Sequence, residues 1–256
     1  MAYLGLDVGT SGCKAVLVNE NGEILCKTHR EYSLVYPAPG HVELDPGIVW
    51  NNVVSVLKEV ASYKNYIKYI AVASIGEAMV ILDKTDKPLT NGVTYLDRRC
   101  SETVKEIKDY IDLKKLYAIS GMPLNQMFSL PTFLWFRKYK PEVIEKADKY
   151  FLFGDYITYM LSGERAIDPP TASRTMFFDA LNLKWSEEIA ACFNLPIEKF
   201  SKVVKIGSMV GKIRASLAKE TGLSEDTYII MGCHDQVAAS LGSGAVSEGD
   251  IMAGEG

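Results

Sequence analysis

Y-L-G-L-D-V-G-T-S-G-C-K-A-V-L-V-N-E-N-G, residues 3–22, reads as two strands joined by a glycine-rich turn and closed by a second turn. Residues 3–7 and 13–18 are apolar and β-prone. Asn19-Glu20-Asn21-Gly22 is a strong turn signal leading into a third strand over residues 23–27. In the first turn, Gly9 and Gly12 admit backbone geometry that other residues resist, which lets N–H groups approach an anion closely. Thr10 and Ser11 add hydroxyl donors, and Asp7 at the strand's end suits the shell of a hard divalent cation such as Mg²⁺. There is no G-K-[ST] and no G-x-G-x-x-G opening a helix, so this is neither a P-loop nor a dinucleotide fingerprint. On its own the loop fits a phosphate cradle and a plain hairpin equally well.

Beyond it, Asp45-Pro46 predicts an N-cap followed by proline at the first helical position, and Val49, Val53, Val56, Leu57 and Val60 recur at helical spacing. A β-branched strand is expected over residues 69–75, with further strands at 79–83 and 92–96. Three hairpin-linked strands, a helix and a buried strand predict a mixed sheet rather than strict strand–helix alternation. Residues 101–163 read as mostly helical, broken at Gly121-Met122-Pro123, Pro131 and Pro141. The aromatics Phe128, Phe133, Trp135, Phe136 and Tyr139 are read as packing residues. Residues 168–178 read as irregular and then extended, 208–220 as an amphipathic helix ended by Gly222, and 227–233 as a buried strand.

The 256 residues are 48% hydrophobic and 23% charged, enough apolar content for a sizeable core, and carry a net charge of −4. Nothing in that balance marks a nucleic-acid or membrane-surface partner. The five cysteines are widely spaced with no C-x-x-C, which argues against a disulfide framework or a zinc site. With no signal-peptide pattern and no apolar stretch of spanning length, a cytoplasmic location is the expectation. A homodimer is the default expectation for assembly.

Gly232-Cys233-His234-Asp235-Gln236 sits where a strand's carboxyl end meets a following segment, a usual ligand position in α/β sheets. Asp235 there suits a base taking the proton of a substrate hydroxyl, and equally a helix N-cap. Cys233 and His234 should point to opposite faces of the strand, which disfavours a nucleophile–base pair. Glu77 and Asp97 lie near strand ends, where carboxylates suit sugar hydroxyls, although a lone Glu is more often merely solvated.

D-V-G-T-S-G (7–12), G-H-V-E-L-D-P (40–46), L-D-R-R (96–99), T-A-S-R-T (171–175) and G-C-H-D-Q-V-A-A (232–239) occur in the order found in FGGY carbohydrate kinases, a family the chain resembles along essentially its whole length. The resemblance implies an α/β, actin-like (ribonuclease H-like) fold with a mixed sheet flanked by helices. It also implies transfer of the γ-phosphoryl group of ATP, with Mg²⁺, to a sugar or polyol hydroxyl. By the same resemblance Asp235 is the catalytic base and Asp7 the carboxylate near the metal. The turn Gly9, Thr10, Ser11 and Gly12 contacts phosphate, and Glu77, Tyr95, Gln236 and, nearby, Asp97 fall where relatives meet the substrate. Ser74-Ile75-Gly76-Glu77-Ala78 departs from the family's usual substrate segments, and Tyr95 stands where many relatives have Trp, so ketose, polyol and sugar acid all stay open. Residues 1–256 would then be a sugar-binding N-terminal domain with a mainly helical insertion at about 101–165. The chain stops at Gly254-Glu255-Gly256 inside a second phosphate-binding segment, so the C-terminal nucleotide-binding domain is expected to be absent and the fragment inactive alone. The rival readings are an actin- or chaperone-like ATPase and a non-catalytic sugar-binding domain.

Overall fold

Residues 2–8 alternate in burial, with Ala2, Leu4, Leu6 and Val8 turned inward and Tyr3, Gly5 and Asp7 turned the other way, as the two-residue period of a strand requires. The structure, a computed structural model, describes residues 1–254; Glu255 and Gly256 of the closing segment lie outside the described residues. Its centre is a six-stranded sheet of β1 (Ala2–Val8), β2 (Gly12–Asn19), β3 (Ile24–Glu31), β4 (Ile67–Ser74), β5 (Met209–Lys212) and β6 (Tyr228–His234). The spatial order is β5-β6-β4-β1-β2-β3. The first three strands form an antiparallel meander, β4 runs parallel to both β1 and β6, and β5 closes the edge antiparallel to β6.

The helices that bear on the sheet, the aromatic cluster and the site include α1 (Pro46–Val60), α2 (Ser129–Tyr139), α3 (Phe153–Ser162), α4 (Ala215–Thr221) and α5 (Asp235–Gly242). Asp45 caps α1 as expected, its Oδ1 accepting from the N–H groups of Gly47 (2.7 Å) and Ile48 (3.0 Å), with Pro46 in the first turn. Val53 and Leu57 of α1, Ile157 and Leu161 of α3 and Leu217 of α4 join Leu4, Leu6, Ala15 and Leu17 in one buried cluster. These helices therefore cover the same face of the sheet. On the opposite face Tyr3 stacks on Tyr69 at 5.8 Å, and Tyr69 lies 6.1 Å from Tyr228.

A second cluster, rich in aromatics, is built from residues between Met79 and Phe200. Phe128, Phe133 and Phe136 are buried in it, and Trp135 packs against it, while Tyr139 is exposed. Its limits differ from the helical insertion expected at about 101–165, because α3 falls inside that range yet packs on the central sheet.

Two local expectations are corrected. Residues 208–220 are not one helix: Met209–Lys212 form β5 and only Ala215–Thr221 is helical. The apolar spacing of Val210, Ile213 and Leu217 suits a helix, but the open edge of β6 recruits the first part as a strand. Residues 168–178 open with a helical turn, Pro169–Ser173, capped by Asp168 through the N–H of Thr171 at 3.0 Å.

Asp155 in the first turn of α3 is buried, accepting from the N–H of Leu152 at 2.7 Å and from the Ser201 hydroxyl at 2.5 Å. Burial pushes its pKa up to about 8 against those hydrogen bonds. A raised carboxyl favours the folded state most below its ordinary value of 3.8 and loses that contribution as pH rises to about 8. Asp155→Asn keeps partners for Leu152 and Ser201 but cannot ionise. Its unfolding free energy should therefore fall less steeply with pH across that window, by up to about 1.4 kcal/mol per pH unit, in urea titrations at stepped pH.

Candidate active site

Both flanking strands of β4 end at the same edge of the sheet, because β1, β4 and β6 are mutually parallel there. Asp7 lies near the end of β1 and Asp235 follows β6 as the first residue of α5, so the parallel pairing brings the two acids to one cleft of about 950 Å³. The approach of β6 to β4 is unusually close. A Cβ on Gly232 would lie 1.9 Å from the carbonyl oxygen of Val72, and the register shifts here, between Ile230 and Cys233. Only glycine fits.

The turn Gly9-Thr10-Ser11-Gly12 lines the cleft beside Asp7. It is closed by Gly9 N–H to Gly12 C=O at 2.9 Å and held by the Tyr32 hydroxyl on the Gly9 carbonyl at 2.7 Å. Gly12 presses on β3, where a Cβ would come within 2.5 Å of the Arg30 carbonyl oxygen. Directly opposite Asp7 in the β1–β2 register stands Lys14, also facing the cleft. Burial lifts the Asp7 pKa above the usual carboxylate range, the nearby charge of Asp235 adds to it, and Lys14 pulls the other way.

Asp235 Oδ1 accepts from the N–H of Gln236 at 2.6 Å and lies 3.2 Å from His234 Nδ1. His234 caps α5, its Nδ1 accepting from the same Gln236 N–H at 3.2 Å. Cys233 points into the core, and burial pushes its thiol up to about 11, so it is no nucleophile partner for His234. Glu77, Tyr95 and Gln236 line the same cleft, with Glu77 buried and Tyr95 exposed.

Asp97 is the correction among the expected substrate contacts. It is 2% exposed and takes four N–H donors, from the backbone of Val42 (2.6 Å) and Arg99 (2.7 Å) and from Arg99 Nε (2.9 Å) and Nη2 (2.7 Å). Arg99 also reaches Glu43 at 2.7 Å and lies 5.0 Å from the Trp135 ring. Asp97 thus clasps the 40–46 loop to the 96–99 turn and has no oxygen left for a ligand.

Lys14, Arg174 and His234 line the cleft but were not singled out as site residues from the sequence. Lys14 was within reach of a register count through the hairpin; Arg174 was not, since its partner Glu77 is 97 residues away.

No group of three or more His, Cys, Asp or Glu gathers to ligate a metal among the described residues. Asp7, half-buried near a second carboxylate, fits the other way such sites hold Mg²⁺, through one or two carboxylates, water and phosphate oxygens. No helix among the described residues is long and apolar enough to cross a membrane.

A sequence model of the FGGY family of carbohydrate kinases, N-terminal domain, matches residues 2–242. The chain is 28% identical over 250 residues to a gluconokinase of Bacillus subtilis, covering 97% of this chain and 49% of that protein. It is 27% identical over 252 residues to a xylulose kinase of Klebsiella pneumoniae, covering 98% and 52%. The crystal structure of a xylulose kinase from Rhodospirillum rubrum superposes with a TM-score of 0.92 at 26% identity, covering 97% of this chain and 52% of that one. The chain spans about half the length of the curated relatives it matches.

Two substitutions test this anatomy. Gly232→Ala should destabilise by about 3 kcal/mol or more in denaturant titrations, since the side chain meets backbone that cannot yield. Asp97→Ala should cost about 3 kcal/mol by leaving Arg99 buried with half its partners, a loss of stability that Asp97→Asn only partly avoids.

Proposed function

This chain belongs to the FGGY family of carbohydrate kinases, and on that premise we propose that it is the substrate-binding half of an ATP-dependent kinase acting on a sugar or polyol hydroxyl. One observation carries the reading: Asp235, at the carboxyl end of a buried strand, shares a cleft with Asp7 and with the turn Gly9–Gly12. Asp235 takes the proton of the attacking hydroxyl. With the Gly9 N–H used to close the turn, the turn's hydroxyls on Thr10 and Ser11 and the N–H groups that Gly9 and Gly12 let approach an anion hold phosphate oxygens, and Lys14 offsets the negative charge of the group in transfer. Mg²⁺, when bound, neutralises phosphate charge during the transfer. Asp7 is the residue here that holds its shell. Glu77, Tyr95 and Gln236 orient the acceptor so that one hydroxyl faces Asp235, and orientation of this kind supplies much of the rate in phosphoryl transfer.

The nucleotide-binding half is proposed to lie in further sequence, a reading supported by relatives twice as long as the matched region. Five free cysteines, three of them buried, suit a reducing compartment such as the cytoplasm.

The test uses the complete gene product with Mg-ATP and a panel of ketoses, polyols and sugar acids, following ADP release. One substrate should raise release above the ATP-only background, and Asp235→Asn should lower that stimulated rate by roughly 10²- to 10⁴-fold with the fold intact. Unchanged turnover in Asp235→Asn would remove the assigned base.

A further inference from the structure

The wall of the cleft away from Asp7 carries Gly76, Glu77, Tyr95, Met127, Arg174 and His234. Two of these, Glu77 and Arg174, carry opposite charges and are spent on each other. Arg174 Nε donates to Glu77 Oε1 at 2.5 Å, and Arg174 Nη2 closes on the same oxygen. Glu77 is 5% exposed, so its charge is balanced by Arg174 far more than by water. The guanidinium lies 4.8 Å from the centre of the Phe128 ring, which fixes it from the other side. Gly76 makes the arrangement fit. A Cβ there would meet Arg174 Cγ at 3.0 Å and the His234 ring at 2.1 and 2.4 Å, so any larger residue would displace one of them.

Other basic side chains line the cleft outside this wall. Lys14 stands across from Asp7, and Arg30 is paired with Glu59. The Glu77–Arg174 pair is neutral as a unit, and it offers paired hydrogen-bonding capacity. Both contacts fall on Oε1 of Glu77, leaving Oε2 as an acceptor, and Arg174 has N–H donors beyond the two used. A hydroxyl, which donates and accepts, matches that pair. A carboxylate can only accept and would be set against the buried charge of Glu77.

We propose that the Glu77–Arg174 pair is a specificity determinant that fits an uncharged polyol or ketose and turns away the corresponding sugar acid. The inference rests on the kinase reading above and narrows its substrate class, even though a gluconokinase stands among the relatives.

The experiment compares kcat/KM of the complete gene product for matched pairs, each a ketose or polyol and the sugar acid of the same chain length. The wild type should favour the neutral member by roughly 100-fold or more, the scale that like charges brought together impose. Glu77→Gln keeps the shape and an acceptor for Arg174 but frees the guanidinium's charge. It should shift the ratio by about 10-fold or more toward the sugar acid, mainly through KM. Arg174→Met, which leaves Glu77 unbalanced, should shift it the opposite way and decides the matter if Glu77→Gln does not fold. A wild type that prefers the sugar acid overturns this inference alone, as does a ratio unmoved by both substitutions. A wild type that phosphorylates no member of any pair overturns the kinase reading and this inference with it.

Discussion

At Gly232 the backbone of β6 passes so close to Val72 of β4 that no side chain can stand between them, and the geometry of the cleft depends on that contact. Parallel strands have no hairpin to hold them in register. Here β6 is tied to β4 in two runs, residues 228–230 and then 233–234, on either side of an irregular step. The step decides which residues of the H-D-Q segment emerge at the sheet's edge. Shift it by one residue and the side chains exchange faces, so Cys233 would enter the cleft and His234 the core. Gly12 performs the corresponding task on the other flank, where the glycine-rich turn lies against the carbonyl of Arg30. Two glycines without side chains thus set the positions of the two acids that line the cleft.

Much of this was legible in the sequence because its causes are local. The Asp45 cap, the hairpin at residues 3–22 and the strand before Asp235 follow from rules acting within a few residues, and all three stand in the structure. The family resemblance supplied the rest of the expected fold, and the six-stranded mixed sheet agrees with it. What escaped the sequence was decided by partners far away along the chain. Residues 209–212 have the apolar spacing of a helix and became a strand because β6 presented an open edge. Pro169–Ser173 is a turn too short for periodicity to reveal.

The same distinction separates the two acids of the substrate segments. Glu77 and Asp97 look alike in sequence, each a carboxylate soon after a strand. Each meets an arginine, yet they differ in how many donors surround them. Asp97 is enclosed by four N–H groups from Val42 and Arg99 and serves the loop that carries α1's cap. Glu77 receives Arg174 on one oxygen only, with its other oxygen beside a cleft. A carboxylate has about four acceptor sites, so the first is saturated and the second is not. Saturation, not charge or position, is what divides a structural acid from one able to take a ligand.

Charge is also divided along the cleft. At one end Asp7 is half-buried near Asp235, and the burial and the like charge together resist its ionisation while Lys14 alone favours it. That end gains from any added positive charge. At the other end Glu77 and Arg174 cancel, and the wall gains most from groups that both donate and accept hydrogen bonds. A molecule carrying hydroxyls is drawn to the neutral end by hydrogen bonding, and a cation with phosphate to the acidic end by electrostatics. Asp235, at the mouth of a helix whose N-terminus favours negative charge, stands between them. Under the proposed function, the order of these three regions sets the substrate hydroxyl next to the assigned base and that base next to the assigned cation site, the sequence of groups an in-line phosphoryl transfer needs.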